Sequence, residues 1–163
     1  MKIEDAIQTL ESHIQDPKIG LPLEIFHFIS RLIPMVNVDL LIKDEKGRTL
    51  LAWRDDEYCG SGWHIPGGII RHKERLENRI NEVAKQEIGT YVQFEPEPTA
   101  MNQVMASHET RGHFISFLYK GFIPGNFCPD DGNHTKTDPG YLEWHETCPQ
   151  NLIEVHEMYR KYV

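Results

Sequence analysis

The sequence has few of the features that mark secreted, membrane or zinc-binding proteins. Three cysteines occur among 163 residues, Cys59, Cys128 and Cys148, and no two of them form a CxxC pair. This count argues against a disulfide framework or a zinc site and favours reduced thiols. No apolar run approaches the roughly 20 residues that span a bilayer. The acidic N-terminal stretch MKIEDAIQTLESHIQD does not resemble a signal peptide. We therefore expect a cytoplasmic protein.

Basic residues are also in short supply. Lys and Arg number 17 against 25 Asp and Glu, which gives a formal net charge of −8. A chain with no basic field does not collect phosphates, so we expect neither nucleic-acid nor anionic-membrane binding. The apolar fraction of 39% and the aromatic fraction of 10% indicate a globular domain with a real core. A phosphorylated substrate would need a metal ion or a few well-placed arginines.

Hydrophobic periodicity and turn residues predict a mixed α/β chain. Helices are expected at 2–15, 22–33 and about 75–88, with a closing helix at 151–163. A hairpin with Gly47 in its turn is expected over 36–55, and the further strand candidates are 91–95, 99–107, 113–122 and a short one at 141–144. This order predicts an α/β sandwich around a mixed sheet. Residues 1–33 would form an N-terminal helical extension packed on the domain 34–163, serving either a homodimer contact or the cover of a sheet edge.

The stretch GGIIRHKERLENRINEVAKQEIG, from Gly67 to Gly89, reads as a glycine turn that feeds a helix. Its spacing resembles the box of the Nudix hydrolases, which places Glu74 at the first conserved Glu, Glu87 at the last and Gly89 at the closing Gly. The resemblance extends over roughly residues 34–160. It implies the α/β/α sandwich of that family and a hydrolase that acts on a nucleoside diphosphate derivative with a divalent metal ion.

The departures from the box concern its metal ligands. The family has Arg-Glu where this chain has Glu82-Val83, and Glu-Glu where it has Gln86-Glu87. One of three late glutamates remains, so we expect a single Mg²⁺, or Mn²⁺ in its place, held by Glu87 and the backbone carbonyl of Gly67 or Gly68. Val83 is expected in the core. Glu74 is expected in a structural ion pair with Arg71, Arg75 or Arg79.

The GDP-mannose mannosyl hydrolases form a branch of that family with the same deficit. They use one Mg²⁺ and direct water at the anomeric carbon of the sugar. By resemblance to that branch, Asp39 would lie near the sugar and Arg54 on the leaving diphosphate, with Arg71 as a further substrate ligand. Asn133 and His134, in the long loop 123–140, would be a metal ligand and the general base.

Several assignments stay open at this level. Asp138 is an alternative to Asn133 as the metal ligand, and Arg54 is an alternative structural partner for Asp39. The substrate would be a GDP-mannose-like nucleoside-diphosphate sugar. A second hypothesis is a Nudix pyrophosphohydrolase that cleaves between phosphates and recruits ligands such as Glu109 or Asp130. A third is a Nudix-fold module that binds a nucleotide without turnover.

Overall fold

The computed structural model describes residues 2–124, 126–129 and 135–163. Two helices come first, α1 (Ile3–Ser12) and α2 (Leu23–Ser30), and a third, α3 (Leu76–Val83), continues into a π-helical turn (Ala84–Ile88). A 3₁₀-helix (Glu154–Tyr159) lies near the C-terminus. The strands are β1 (Met35–Lys43), β2 (Thr49–Asp56), β3 (Gly60–His64), β4 (Gly67–Ile69), β5 (Gln93–Phe94), β6 (Ala100–Met105), β7 (His113–Phe122) and β8 (Leu142–His145).

The strands form one mixed sheet in the order β3-β2-β1-β7-β5, with β4 on β1, β6 on β7 and β8 on β2. Strand β1 lies at its centre and pairs in parallel with β7 along its whole length, from Met35 opposite Phe114 to Lys43 opposite Phe122. The other flank of β1 is divided, because β4 pairs with it at Asn37–Asp39 and the β2 hairpin pairs with it at Lys43. Asp39 lies at the end of the β4 pairing, where β1 passes from one partner strand to the other.

The two faces of the sheet carry separate apolar layers, because side chains along a strand alternate in direction. Val38, Leu40 and Ile42 pack with α3 in one cluster. Leu41, from the opposite set of β1, packs with Tyr159 and other residues of the C-terminal segment in a second cluster. Helical structure therefore covers both faces. The predicted α/β/α sandwich around a mixed sheet is confirmed.

The helices expected at 2–15 and 22–33 are shorter, at Ile3–Ser12 and Leu23–Ser30, and three other predicted elements differ more from those in the structure. The helix expected over 75–88 is α-helical only to Val83, and its last turn is a wider π turn. The closing helix expected over 151–163 is a 3₁₀-helix of six residues, which begins after Ile153. The strand expected at 91–95 has two residues. The hairpin with Gly47 in its turn is confirmed, and Gly47 has the positive φ of +79° that such turns favour.

The N-terminal helices differ in how they meet the rest of the chain. Helix α1 buries none of its residues, whereas α2 buries Ile25 and Ser30. Ser30 Oγ accepts a hydrogen bond from the backbone N–H of Arg111 at 3.1 Å, and His27 Nε2 lies 3.0 Å from the hydroxyl of Tyr58. The predicted boundary at residue 33, between the N-terminal extension and the domain, stays a prediction, and so does the role of the extension. Within the described ranges, no helix is both long and apolar enough to cross a membrane.

Candidate active site

A cleft of about 1120 Å³ opens at the divided flank of β1. Strands β1, β2 and β4, the π turn, helix α2, the β6–β7 loop and the C-terminal 3₁₀-helix all contribute to it. Most residues that the sequence nominated for the site line this cleft, namely Asp39, Arg54, Gly67, Gly68, Arg71 and Glu87. Four arginines (Arg54, Arg71, Arg79 and Arg111) and two carboxylates (Asp39 and Glu87) line it, so the cleft offers several guanidinium groups although the whole chain is acidic. Such a cleft suits an anionic ligand.

Glu87 projects into this cleft from the π turn. The turn is closed by the N–H of Gly89, which donates to the carbonyl of Ala84 at 3.0 Å. Gly89 itself has a left-handed φ of +80°. Oε2 of Glu87 accepts a hydrogen bond from the N–H of Gly67 at 3.3 Å. Burial raises the pKa of Glu87 to about 7, and the negative charge of Asp39 adds to the shift, against the opposing effects of Gly67 and Arg54. The carboxylate is thus near its protonation midpoint at neutral pH.

The two other metal positions of the Nudix box are not carboxylates here, and their side chains have other roles. Val83 is buried in the core cluster beside α3 and lies against Gly68, where an added Cβ would come within 2.8 Å of Val83 Cγ2. The prediction of Val83 as a core residue is confirmed. Gln86 is exposed and its amide donates to Glu82 on the helix surface at 3.2 Å. The helix therefore presents one carboxylate to the cleft.

The donor set fits one Mg²⁺ rather than a cluster of ions. Within the ranges given above, no group of three or more His, Cys, Asp or Glu side chains is arranged to hold a metal. Mg²⁺ prefers hard oxygen ligands and is commonly held by one or two carboxylates together with substrate phosphates and waters. Glu87, with the backbone carbonyl of Gly67 or Gly68, would supply such a partial shell. The role of these three residues as metal ligands stays a prediction.

Asp39 lies at the base of the cleft and is only 1% exposed. Its Oδ2 accepts hydrogen bonds from Ser116 and, at 2.6 Å, from Tyr159, and its Oδ1 accepts one from Asn37 at 2.7 Å. Burial nevertheless dominates and raises its pKa to about 6. Oδ1 faces Gly67, where an added Cβ would lie 2.2 Å away. Asp39 therefore packs closely against a position where glycine leaves room for its carboxylate.

The arginines of the cleft have distinct partners. Arg54 forms an ion pair with Asp56 in its own strand, so it is not the structural partner of Asp39. Of the three candidates for Glu74, Arg79 makes the ion pair, with Nε 2.9 Å from Oε2. The guanidinium of Arg71 lies against Gly20, where an added Cβ would come within 2.7 Å of Nη1. The proposed contacts of Arg54 and Arg71 with a substrate stay predictions.

Arg111, in the β6–β7 loop, also lines the cleft, and the sequence did not indicate it. The guanidinium of Arg111 lies 4.4 Å from the ring centre of Tyr58 and 5.7 Å from that of Phe26. Its Nε is buried and has no hydrogen-bond partner in the part of the chain that the structure describes. Arg111 also has a positive φ of 57°, which is uncommon for a non-glycine residue. Its loop reads as an ordinary polar turn, so the tertiary contacts with α2 and with the turn between β2 and β3 are what reveal it.

Some nominated residues cannot be placed. Asn133, His134 and Asp130 lie outside the described residues. Glu109, the other ligand considered for a pyrophosphohydrolase, lines a separate recess of about 260 Å³ with His113. Asp138 caps the loop that enters β8, where its Oδ2 accepts from the N–H of Thr135 at 2.8 Å.

The raised pKa of Glu87 predicts a pH-dependent difference between the native protein and the variant E87Q. In the metal-free fold, this group adds stability that is fully present below its unfolded pKa of about 4.5 and is lost as the pH rises through about 7. Glutamine does not titrate. The free energy of unfolding of E87Q minus that of the native protein should therefore be about 2 kcal/mol larger at pH 8 than at pH 4.5. E87Q thus gains stability relative to the native protein as the pH rises.

Urea unfolding in EDTA at the two pH values measures this difference. The control is Glu82→Gln, an exposed neighbour on the same helix, whose stability should follow that of the native protein at both values. If the difference in free energy of unfolding between E87Q and the native protein is the same at pH 4.5 and pH 8, the raised pKa of Glu87 is refuted.

Comparison with solved structures identifies the class of fold. The chain is similar to a structure described as a possible asymmetric diadenosine tetraphosphate hydrolase from Jonesia denitrificans, with a TM-score of 0.60 and 20% identity over 80% of this chain and 92% of that one. It is also similar to a hydrolase of the NUDIX family from Clostridium perfringens, with a TM-score of 0.57 and 18% identity over 80% of this chain and 96% of that one. The fold is the Nudix fold.

A curated relative defines the family more narrowly. The low-salt glycan biosynthesis protein Agl8 of Haloferax volcanii is 34% identical over 124 residues, which cover 74% of this chain and 79% of that protein. The chain belongs to the family of Agl8. No protein-family model matches the sequence.

Proposed function

We propose that the protein is a Mg²⁺-dependent hydrolase of a nucleoside-diphosphate sugar, GDP-mannose-like, in which water attacks the anomeric carbon. The observation that carries this proposal is the single carboxylate, Glu87, on the cleft side of a helix whose second metal position is the packed Val83. One carboxylate is a poor match for two-metal attack on phosphorus and a good match for stabilising a leaving diphosphate. A relative named for glycan biosynthesis supports a glycosyl substrate.

In the proposed reaction, each residue of the site would have a separate role. Arg54 would bind the diphosphate, because a guanidinium holds phosphate oxygens in pairs, and Arg71 would add a second cationic contact. Asp39 would stabilise the positive charge that develops at the anomeric carbon. Bound Mg²⁺ would supply further positive charge to the leaving group. His134 would take the proton of the attacking water, and Asn133 would complete the metal shell.

The proposed mechanism predicts which bond of the substrate is cleaved. Water forms the new bond to the anomeric carbon, the bond from that carbon to the bridging phosphate oxygen breaks, and the nucleoside diphosphate leaves. GDP-mannose hydrolysed with Mg²⁺ in ¹⁸O-water should therefore give labelled mannose and unlabelled GDP. Mass spectrometry of both products, with quenching before the sugar exchanges its anomeric oxygen, measures this.

Two other outcomes would each support a different function. Label on phosphate, with a nucleoside monophosphate and a sugar phosphate as products, would identify a pyrophosphohydrolase. Thermal stabilisation by nucleotides, without turnover of any nucleoside-diphosphate sugar or dinucleotide, would identify a binding module.

A further inference from the structure

Two histidines of the cleft are held in opposite tautomers by the backbone of one residue, Ile65. The Nδ1 atom of His64 lies 3.0 Å from the carbonyl oxygen of Ile65, and the N–H of Ile65 lies 3.1 Å from Nδ1 of His156. A carbonyl only accepts a hydrogen bond, so Nδ1 of His64 carries the proton and its Nε2 is an acceptor. An amide N–H only donates, so Nδ1 of His156 is unprotonated and its Nε2 carries the proton.

Both rings remain neutral over the physiological range of pH. Burial lowers the pKa of His64 to about 3, with further contributions from His156 and Arg54. Burial likewise lowers the pKa of His156 to about 3, and Arg54 adds to this shift. A general base that works near neutral pH needs a pKa closer to 7. The two rings are therefore suited to hydrogen bonding rather than to proton transfer.

The two rings line the same cleft as Glu87 and Arg54. Their centres are 6.0 Å apart and their planes are inclined at 52°. Neither Nε2 atom has a hydrogen-bond partner within residues 2–124, 126–129 and 135–163. The cleft thus contains one uncharged acceptor and one uncharged donor on neighbouring rings, close enough to Arg54 for its charge to lower the pKa of both.

We propose that His64 and His156 bind the hydroxyl groups of the sugar, His64 accepting a hydrogen bond from one hydroxyl and His156 donating one to a neighbouring oxygen. Hydroxyl groups both donate and accept, so a mixed pair matches them, whereas the lone pair of His64 would repel a phosphate oxygen. This inference rests on the proposed function and adds the residues that select the sugar. A site built to bind a hydroxyl discriminates against an analogue that lacks it.

Asparagine variants test the proposal with little disturbance of Ile65. In His64→Asn the amide can still donate to the carbonyl of Ile65, and in His156→Asn the carbonyl oxygen can still accept from its N–H, while each variant loses the group at Nε2. We expect the native protein to prefer GDP-mannose about tenfold over one of its monodeoxy-mannose analogues in kcat/KM. Each variant should reduce that preference to within twofold and leave the Kd for GDP unchanged.

Two further variants keep the test decisive. His64→Gln reaches towards the position of Nε2 and should restore part of the preference, which separates a lost contact from a lost fold. His113→Asn is the matched control, since His113 lies in the other recess with its ring 2.9 Å from the amide of Gln103, and it should leave the preference unchanged. Thermal melting of each variant verifies that it folds.

The proposal is overturned if folded His64→Asn and His156→Asn retain the full preference, if they weaken GDP and GDP-mannose binding equally, or if they change only the Mg²⁺ requirement. Those results leave hydrolysis by the native protein intact, so they differ from a failure of the proposed function itself, in which the native protein does not hydrolyse any nucleoside-diphosphate sugar.

Discussion

Replacement of Glu87 by Gln is expected to lower the Mg²⁺-dependent turnover of a nucleoside-diphosphate sugar by about 10³-fold. Glu87 is the one carboxylate that the helix directs into the cleft, because Val83 is packed in the core and Gln86 is bonded to Glu82 on the surface. A metal ion contributes several kcal/mol to a transition state with developing negative charge, and 1.36 kcal/mol corresponds to a factor of ten in rate. The amide can still accept from the N–H of Gly67, so the local fold should survive.

The measurement is the steady-state rate as a function of Mg²⁺ concentration, together with calorimetric titration of Mg²⁺ in the presence of GDP. Glu82→Gln, an exposed change one turn earlier, serves as the control and should stay within twofold of the native rate. Native turnover in E87Q at an unchanged Mg²⁺ requirement would remove Glu87 from the metal site and, with it, the main support for one-metal chemistry.

Replacement of Arg79 by Met is expected to destabilise the fold by about 3–5 kcal/mol. The ion pair between Arg79 and Glu74 is buried, with 9% and 12% of the two side chains exposed. Glu74 also accepts from the N–H of Arg71, which fixes the loop that enters α3. Removal of one partner of a buried pair leaves an uncompensated charge, which costs far more than loss of an exposed pair.

Urea unfolding measures this loss, and the pair Arg160–Glu157 supplies the control. There the side chains are 40% and 46% exposed, so the lost ion pair should cost less than about 1 kcal/mol in Arg160→Met, which also loses the hydrogen bonds from the guanidinium to the carbonyls of Pro149 and Gln150. The double variant E74Q/R79M should recover part of the stability, because no charge then remains unpaired. Equal losses in Arg79→Met and Arg160→Met would contradict the argument from burial.

Local patterns in the sequence were sufficient to predict the fold and one side of the site. The apolar runs of β1 and β7, the glycine turn at Gly47 and the apolar stripe of α3 are short-range signals, and each corresponds to an observed element. The spacing from Gly68 to Glu87 also anticipated the position of Glu87 beside Gly67, because both lie within one turn-helix unit.

The remainder of the site depends on contacts between distant segments, which periodicity does not encode. Asp39 was predicted to lie near the sugar, yet its hydrogen-bond partners Ser116 and Tyr159 lie 77 and 120 residues further along the chain. The tautomers of His64 and His156 likewise depend on a contact across 91 residues. The sequence did contain one signal for the position of His156. It lies three residues before Tyr159, a spacing that directs both side chains to one face of a helical turn.

The parallel pairing of β1 with β7 also bears on how the chain folds. The paired residues are about 80 positions apart, so the centre of the sheet forms only after a large loop has closed. Contacts of such long sequence separation slow folding, because the entropy of closure is lost before the contacts form. The hydrogen bond from Ser116 to Asp39 joins these two strands. The cleft therefore forms only after this loop has closed, and a nascent chain that ends before β7 lacks the strand that pairs in parallel with β1.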